Sequence, residues 1–407
     1  MKVAVLKETF AGESRVALIP ANVTHLTKAG LEVQVERGAG HAAGFADAEY
    51  ETKGATVVDQ RDSLFDADIL LQVRALGANL EAGQADVAAM RQGHIVVGMC
   101  DPLGEPAAIQ TLANQGVSLC ALEMIPRITR AQSMDILSSM ATIAGYRAVL
   151  MAALELPKMF PMLMTAAGTL TAARVFVIGG GVAGLQAIAT ARRLGGVVQA
   201  YDVRPAVREQ VESLGAKFVE LNLATDTAED KGGYAKALGE EFYQKQREFM
   251  AEIAADSDVV ISTAAIPGRQ SPLLITAEAV QGMSPGSVVV DLAAERGGNC
   301  ELSQPDQRVV EHGVVILGPT NLPAEVAFHA SQMYSNNVTK FLLNMVHEGN
   351  VELNLEDEIV RDTLVAHAGD VTSPRIRELL DLPELPAETP TATETGDEAA
   401  TDQPSEG

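Results

Sequence analysis

The stretch ARVFVIGGGVAGLQAIATARRLGGVVQAYDVR, residues 173–204, constrains the fold more than any other part of the chain. A β-branched run ends at Ile178, Gly179, Gly181 and Gly184 supply G-x-G-x-x-G, a helix opens with Leu185, and the next strand ends on an acid, Asp202. A glycine triplet alone is weak evidence. Strand before, helix after and a carboxylate about 20 residues on together specify a dinucleotide-binding βαβ unit. The glycines differ in purpose. Gly179 makes the tight turn, Gly181 lets backbone amides approach a pyrophosphate, and Gly184 lets the helix pack close on the strand.

Short β-branched runs alternate with helical patterns along the rest of the chain, as in βαβ units with mostly parallel sheets. One series covers Lys2 to Leu6, Glu32 to Glu36, Ile69 to Val73, His94 to Met99 and Val117 to Leu122; a second runs from Arg174 to Leu317. The expected fold is α/β, with two Rossmann-like domains joined by long helices. Ser133 to Leu156 reads as a connecting helix, and Val326 to His347 as a second helix whose following residues are too few for a third domain. The expected units are 1–132 plus 328–384, a discontinuous first domain; 133–327, the nucleotide domain; and 385–407, a disordered acidic tail rich in Pro, Thr and Glu.

Charge narrows the partners. Thirty Lys and Arg against 54 Asp and Glu leave a formal charge of −24, which phosphate backbones and anionic headgroups repel. Nucleic acid binding and direct membrane insertion are not expected. The cysteines Cys100, Cys120 and Cys300 are odd in number and sit in apolar runs, as buried thiols of a reducing compartment do. The start, MKVAVLKETF, lacks the pattern of a signal peptide. A cytoplasmic protein is expected.

Asp202 is expected to accept hydrogen bonds from adenosine ribose hydroxyls and to repel a 2'-phosphate, which favours NAD(H) over NADP(H). Arg204 lies close by and is the residue type by which NADP sites welcome that phosphate. A dehydrogenase acting on a carbonyl or imine also needs an acid-base group. None of the seven histidines sits in a motif that places it beside a nicotinamide. A denser polar cluster, PRITRAQSMDILSS, holds Arg127, Thr129, Arg130, Gln132, Asp135 and Ser138; it fits either a site or a capped helix start. The long segment Asn222 to Glu240, with AEDKGGYAKAL at its centre, reads as a lid or as a plain insertion.

The signatures KETFAGESRVALIP, PRITRAQSMDILSS, VIGGGVAGLQA, AYDVR, EDKGGYAKAL, QKQREFM, TAAIPGRQSPLL and GPTNLPAE resemble the NAD(H)-binding first component of the proton-translocating NAD(P) transhydrogenase family, up to about Leu380. Alanine dehydrogenases are the nearest relatives. This chain departs from them in having VGMCDP where they carry a catalytic His, QVR where they carry a substrate-binding Lys, and AAERGG, with Glu295, near their catalytic Asp. Arg15, which resembles their pyruvate-binding Arg, is retained.

The resemblance implies direct hydride transfer between NAD(H) bound here and NADP(H) on a partner subunit, which needs contact and alignment of two rings and no general acid. It also implies a homodimer that is peripheral on the inner membrane through membrane-embedded subunits. By the same resemblance Arg127, Gln132, Asp135 and Ser138 form the loop beside the nicotinamide, with Gln132 bridging toward the incoming NADP(H). Ile128 and Thr129 add backbone contacts, and Val182 lies at the pyrophosphate beside Gly179, Gly181 and Gly184. Asp202, Val203 and Arg204 meet the adenosine, Gly233 and Tyr234 form the lid, and Gln246 and Ala265 line the adenine and nicotinamide sides. The rival readings are a stand-alone alanine dehydrogenase-type enzyme and a nucleotide-sensing protein without turnover.

Overall fold

A computed structural model of the chain describes residues 1–221, 240–265 and 268–385. The lid residues Gly233 and Tyr234 and nearly all of the acidic tail lie outside the described residues.

Strands β1 (Lys2–Val5), β2 (Glu32–Glu36), β3 (Thr56–Val58), β4 (Ile69–Arg74), β5 (Ile95–Met99) and β6 (Ser118–Ala121) form a parallel sheet in the order β3-β2-β1-β4-β5-β6. The hairpin β7 (Leu163–Thr165) and β8 (Gly168–Leu170) stands exposed. A second sheet follows, built from β9 (Arg174–Ile178), β10 (Val197–Tyr201), β11 (Lys217–Phe218), β12 (Val259–Ser262), β13 (Val288–Asp291), β14 (Arg308–Glu311) and β15 (Val314–Leu317). Its order is β11-β10-β9-β12-β13-β15-β14, all parallel except β14. Beyond the small hairpin β16 (Val346–His347) and β17 (Asn350–Val351), the strands β18 (Leu364–His367) and β19 (Asp370–Val371) return to the first sheet, β18 antiparallel to β6.

Both sheets share one winding order, with the crossover reversing between β1 and β4 in the first and between β9 and β12 in the second. In such sheets the crevice opens beyond the carboxyl ends of the strands at that reversal. The central strands VVIS, VVVD and VVIL are buried along their whole length, as a sheet covered on both faces requires. Apolar clusters fill both faces of each sheet.

The connecting helix runs Ile136–Glu155, three residues later than the sequence pattern suggests, because Asp135 is its N-cap and accepts from the Ser138 amide at 2.9 Å. Among the described residues it is the one helix long and apolar enough to cross a membrane, with a mean hydropathy of 1.4. Here it packs against the helix Val182–Arg193 that follows the glycine turn. A Cβ on Gly145 would stand 2.1 Å from the Ala183 carbonyl oxygen, so only glycine permits this crossing. The return helix, Ala327–Met345, pins the first sheet: Ser331 and Ser335 hydroxyls accept from the Val16 and Ile19 amides at 3.0 Å, and the Tyr334 hydroxyl donates to the Gln72 carbonyl at 2.8 Å.

Candidate functional site

The carboxyl ends of both sheets line one cleft of about 1270 Å³. From the first sheet come the segments after β1 (Thr9, Phe10), β4 (Arg74) and β5 (Asp101, Leu103), with Glu123 after β6; from the second come Gly179 to Ala183, Asp202 to Arg204, Thr263 to Ala265, and Glu295 with Arg296.

The glycine turn divides its labour by position. Gly179 has φ +100°, a left-handed conformation open to glycine and strained for most other residues. A Cβ on Gly184 would overlap the Gly179 carbonyl oxygen at 1.8 Å, so this residue serves close helix-on-strand packing and does not line the cleft. Gly181 is different: a Cβ there would meet no atom within 4 Å, so the space beside the helix N-terminus is open. That open space, next to the partly exposed Val182, is where an anion would meet the amides and the positive end of the helix.

Asp202 closes the turn from the neighbouring strand, accepting from the Gly180 amide at 2.7 Å with one oxygen and from the Arg204 amide at 2.8 Å with the other. The Arg204 guanidinium folds back on the same carboxylate, Nε at 2.9 Å. The arginine that could welcome a 2'-phosphate is thus engaged with Asp202 in this structure. Gln246, on the helix Glu240–Ala255, is buried and donates to the Tyr201 hydroxyl at 3.1 Å, while its Oε1 is an enclosed acceptor with no partner. A buried acceptor left open costs about 1–3 kcal/mol unless something fills it. An adenine amino group is the kind of donor that would.

Of the expected residues, Arg127, Ser138, Gly179, Gly181, Val182, Asp202, Val203, Arg204, Gln246 and Ala265 line the cleft. Ile128, Thr129, Gln132 and Asp135 do not. Asp135 is turned into its own helix, with the Ser138 hydroxyl at 2.5 Å, and Gln132 lies exposed on the separate 3-10 turn Thr129–Met134. Gln132 and Asp135 are therefore not on one helix face.

Several functional groups escape sequence reasoning. Asn299 holds the end of β12 from below, exchanging bonds with the Ala264 amide (3.1 Å) and carbonyl (2.8 Å), and the buried Asp291 fixes the Asn299 amide at 2.8 Å. Glu123 accepts from the Cys100 and Asp101 amides at 2.7 and 2.8 Å. Burial pushes its carboxyl up to about 7, against the opposing pull of those amides. Glu8, fully enclosed at the end of β4, is pushed up to about 8 by burial. These carboxylates are separated from their partners by many residues and carry no local period.

Arg15 is not on the cleft wall. It is buried, with Nε at 2.7 Å and Nη2 at 2.6 Å from the two oxygens of Glu13, which also accepts from Arg74 at 3.0 Å. Burial acts to raise the Glu13 carboxyl, but the bonds and charge of Arg15 outweigh it and hold the group down at about 2.

Two sheets of one winding order facing a shared cleft, with a glycine turn open toward it, define a dinucleotide-binding α/β protein. The family model for the alanine dehydrogenase/PNT N-terminal domain matches residues 4–144, and that for its C-terminal domain matches residues 148–374. The chain belongs to the alanine dehydrogenase/PNT family. It is 47% identical over 380 residues to an NAD(P) transhydrogenase subunit alpha of Rhodospirillum rubrum, covering 92% of this chain and 99% of that one. Among solved structures, a transhydrogenase from Sinorhizobium meliloti matches with a TM-score of 0.79 and 43% identity, over 92% of this chain and 99% of that one. An L-alanine dehydrogenase matches with a TM-score of 0.78 and 26% identity, over 94% and 99%. Fold alone does not separate the two activities.

Proposed function

We propose that this chain is the NAD(H)-binding component of a proton-translocating NAD(P) transhydrogenase, passing hydride between NAD(H) in the cleft and NADP(H) on a partner subunit. The observation that carries this reading is the contrast between Arg15 and Gln132. The cation that a small keto acid would need is sealed against Glu13, while the polar loop at the cleft is turned to solvent, where a second protein can meet it. When bound, NAD(H) supplies the ring that gives or takes hydride. Gly181 and the helix N-terminus at Val182 receive its phosphates, Asp202 and Gln246 its adenosine half, and Arg127, Ser138 and Ala265 surround the other end. Gly233 and Tyr234 would cover it.

Direct transfer exchanges no proton with solvent, so the lack of a cleft histidine among the described residues is no obstacle. Proton movement belongs to membrane-embedded subunits, in keeping with a relative whose name makes it a subunit of a larger enzyme. The chain would act at the cytoplasmic side of the inner membrane, held there by those subunits.

A homodimer is included in the same proposal. The connecting helix is apolar on all sides, yet only 39% of its most apolar window is buried, and Leu154 and the hairpin residue Met164 are more than three-quarters exposed. A helix apolar all round needs cover all round, which a second copy would supply.

The test mixes the purified chain with a separately made NADP(H)-binding component and follows hydride transfer from NADPH to an NAD analogue. Transfer that requires both proteins supports the reading. Oxidation of alanine with NAD by this chain alone, at enzymatic rates, would replace it with the dehydrogenase reading. Gln132→Asn should keep NADH affinity and lose most transfer.

A further inference from the structure

Gln132 sits on a six-residue 3-10 turn, Thr129–Met134, closed at its end by a long 3.4 Å bond from the Asp135 amide to the Gln132 carbonyl. Turns of this kind rarely run beyond three or four residues because their hydrogen bonds are poorly aligned. Something outside the turn must hold it. Ala131 and Met134 are buried in the first core, which anchors the inner side. The outer side is held by two polar contacts from the returning chain, one on each flank of Gln132.

On the first flank, the Arg130 guanidinium grips both carboxylate oxygens of Asp357, one through Nη1 at 3.1 Å and the other through a shorter contact from Nη2. Asp357 is itself fixed: it accepts from the Asn344 amide group at 2.8 Å and caps the helix Glu358–Thr363 through the Ile359 amide at 3.0 Å. On the second flank, the buried Asn337 donates through Nδ2 to the Ser133 carbonyl at 2.9 Å. Both braces come from the stretch of chain that goes back to the first sheet.

We propose that Asn337 and Asp357 are positioning residues for Gln132: clamping the backbone at Ser133 and Arg130, they present its exposed side chain in one place to the incoming partner. This rests on the hydride-transfer reading above. A paired arginine half exposed to water is a weak contact by itself, but a bidentate pair tied into a helix cap and a second amide restricts the backbone more than its energy suggests. Neither residue touches the cleft, so neither should affect how tightly NADH is held.

The experiment compares the full chain with Asn337→Leu and with Asp357→Asn, the latter keeping an acceptor for the Ile359 amide. Three quantities are read: kcat for transfer with the NADP(H)-binding component, the Kd for NADH of the chain alone, and the rate of trypsin cleavage after Arg127 and Arg130. Each variant is expected to lose about tenfold in kcat, the scale of a misplacement well under 1 Å. The Kd should stay within about twofold, and cleavage should quicken severalfold as local opening becomes easier. Wild-type kcat in both variants would overturn the proposal while leaving the transfer reading intact. A fall in kcat matched by an equal loss of NADH affinity would also overturn it, since that marks general damage. Failure of the wild-type chain to transfer hydride at all would sink the parent reading and the proposal with it.

Discussion

The Arg296 guanidinium donates to the Asp101 carboxylate across the cleft, joining the loop after β13 to the loop after β5. Asp101 is poised for this by a backbone of φ +44° and by Glu123, which holds its amide from behind. Leu103, two residues on, faces Gly268 so closely that a Cβ there would come within 2.7 Å. The two sheets thus meet through an ion pair and an apolar contact at the inner end of the cleft.

Removing the ion pair should loosen that end without unfolding the chain. Both side chains are about one-third exposed, so solvent screens the pair and its worth is about 0.5–1 kcal/mol. Arg296→Met is expected to weaken NADH binding by about two- to fivefold, with a small rise in the radius of gyration by X-ray scattering. Unchanged affinity together with unchanged scattering would show that the cleft is held elsewhere.

The glycine turn allows stability and binding to be separated by two neighbouring substitutions. Gly184→Ala forces a methyl into the Gly179 carbonyl and should cost about 3 kcal/mol or more. Gly181→Ala adds its methyl where no protein atom lies, so the melting temperature should hold while NADH affinity falls at least tenfold. Thermal melts and fluorescence titrations on the two proteins check this; the opposite pattern would exchange their roles.

Glu123 makes stability depend on pH. Its carboxyl is raised from an ordinary 4.5 to about 7, so the folded chain holds this proton more tightly than the unfolded one. The stability it contributes is full below about 4.5 and is lost as pH rises through about 7, by up to about 3 kcal/mol. Glu123→Gln keeps the acceptor for the Cys100 and Asp101 amides and places an uncharged group where Oε2 has no partner. Urea unfolding at pH 5 and pH 8 should show the variant gaining on wild type at the higher pH; equal slopes would rule Glu123 out as the source.

Glu13 behaves in the opposite sense. Held down at about 2, it stabilises the fold above about 4.5, and that contribution is lost as pH falls through about 2. Glu13→Gln leaves Arg15 buried without a counter-charge and should cost about 3–5 kcal/mol at pH 7. The gap between variant and wild type should narrow in acid, which denaturation at pH 7 and pH 3 would register.

The two sheets are legible in the sequence because their central strands are unbroken runs of β-branched residues between glycine turns, a pattern that few other folds produce. The turn at Gly179 to Gly184 is legible for the same reason, although its helix begins at Val182, nearer the glycines than the apolar pattern indicates. Strands β3 and β14 escape such reading: TVV and RVVE are short, half exposed and without alternation, and β14 exists only because His312 and Gly313 turn the chain back on β15 with positive φ. The antiparallel addition of β18 and β19 carries no local signal either. At the site, the pairing of Asp101 with Arg296, of Ala264 with Asn299 and of Ser133 with Asn337 joins residues far apart in the chain, and nothing periodic announces such meetings. Residue type suggests where polar chemistry gathers; only the fold decides which groups face the cleft and which are spent on holding a neighbour.

The tight crossing at Gly145 carries a mechanical implication. The helix that begins at Asp135 is fastened, about 15 Å along its axis, to the backbone at Ala183, which belongs to the pyrophosphate turn. Loop and turn are then opposite ends of a single stiff rod, and filling one would be felt at the other without any signal passing through the cleft itself.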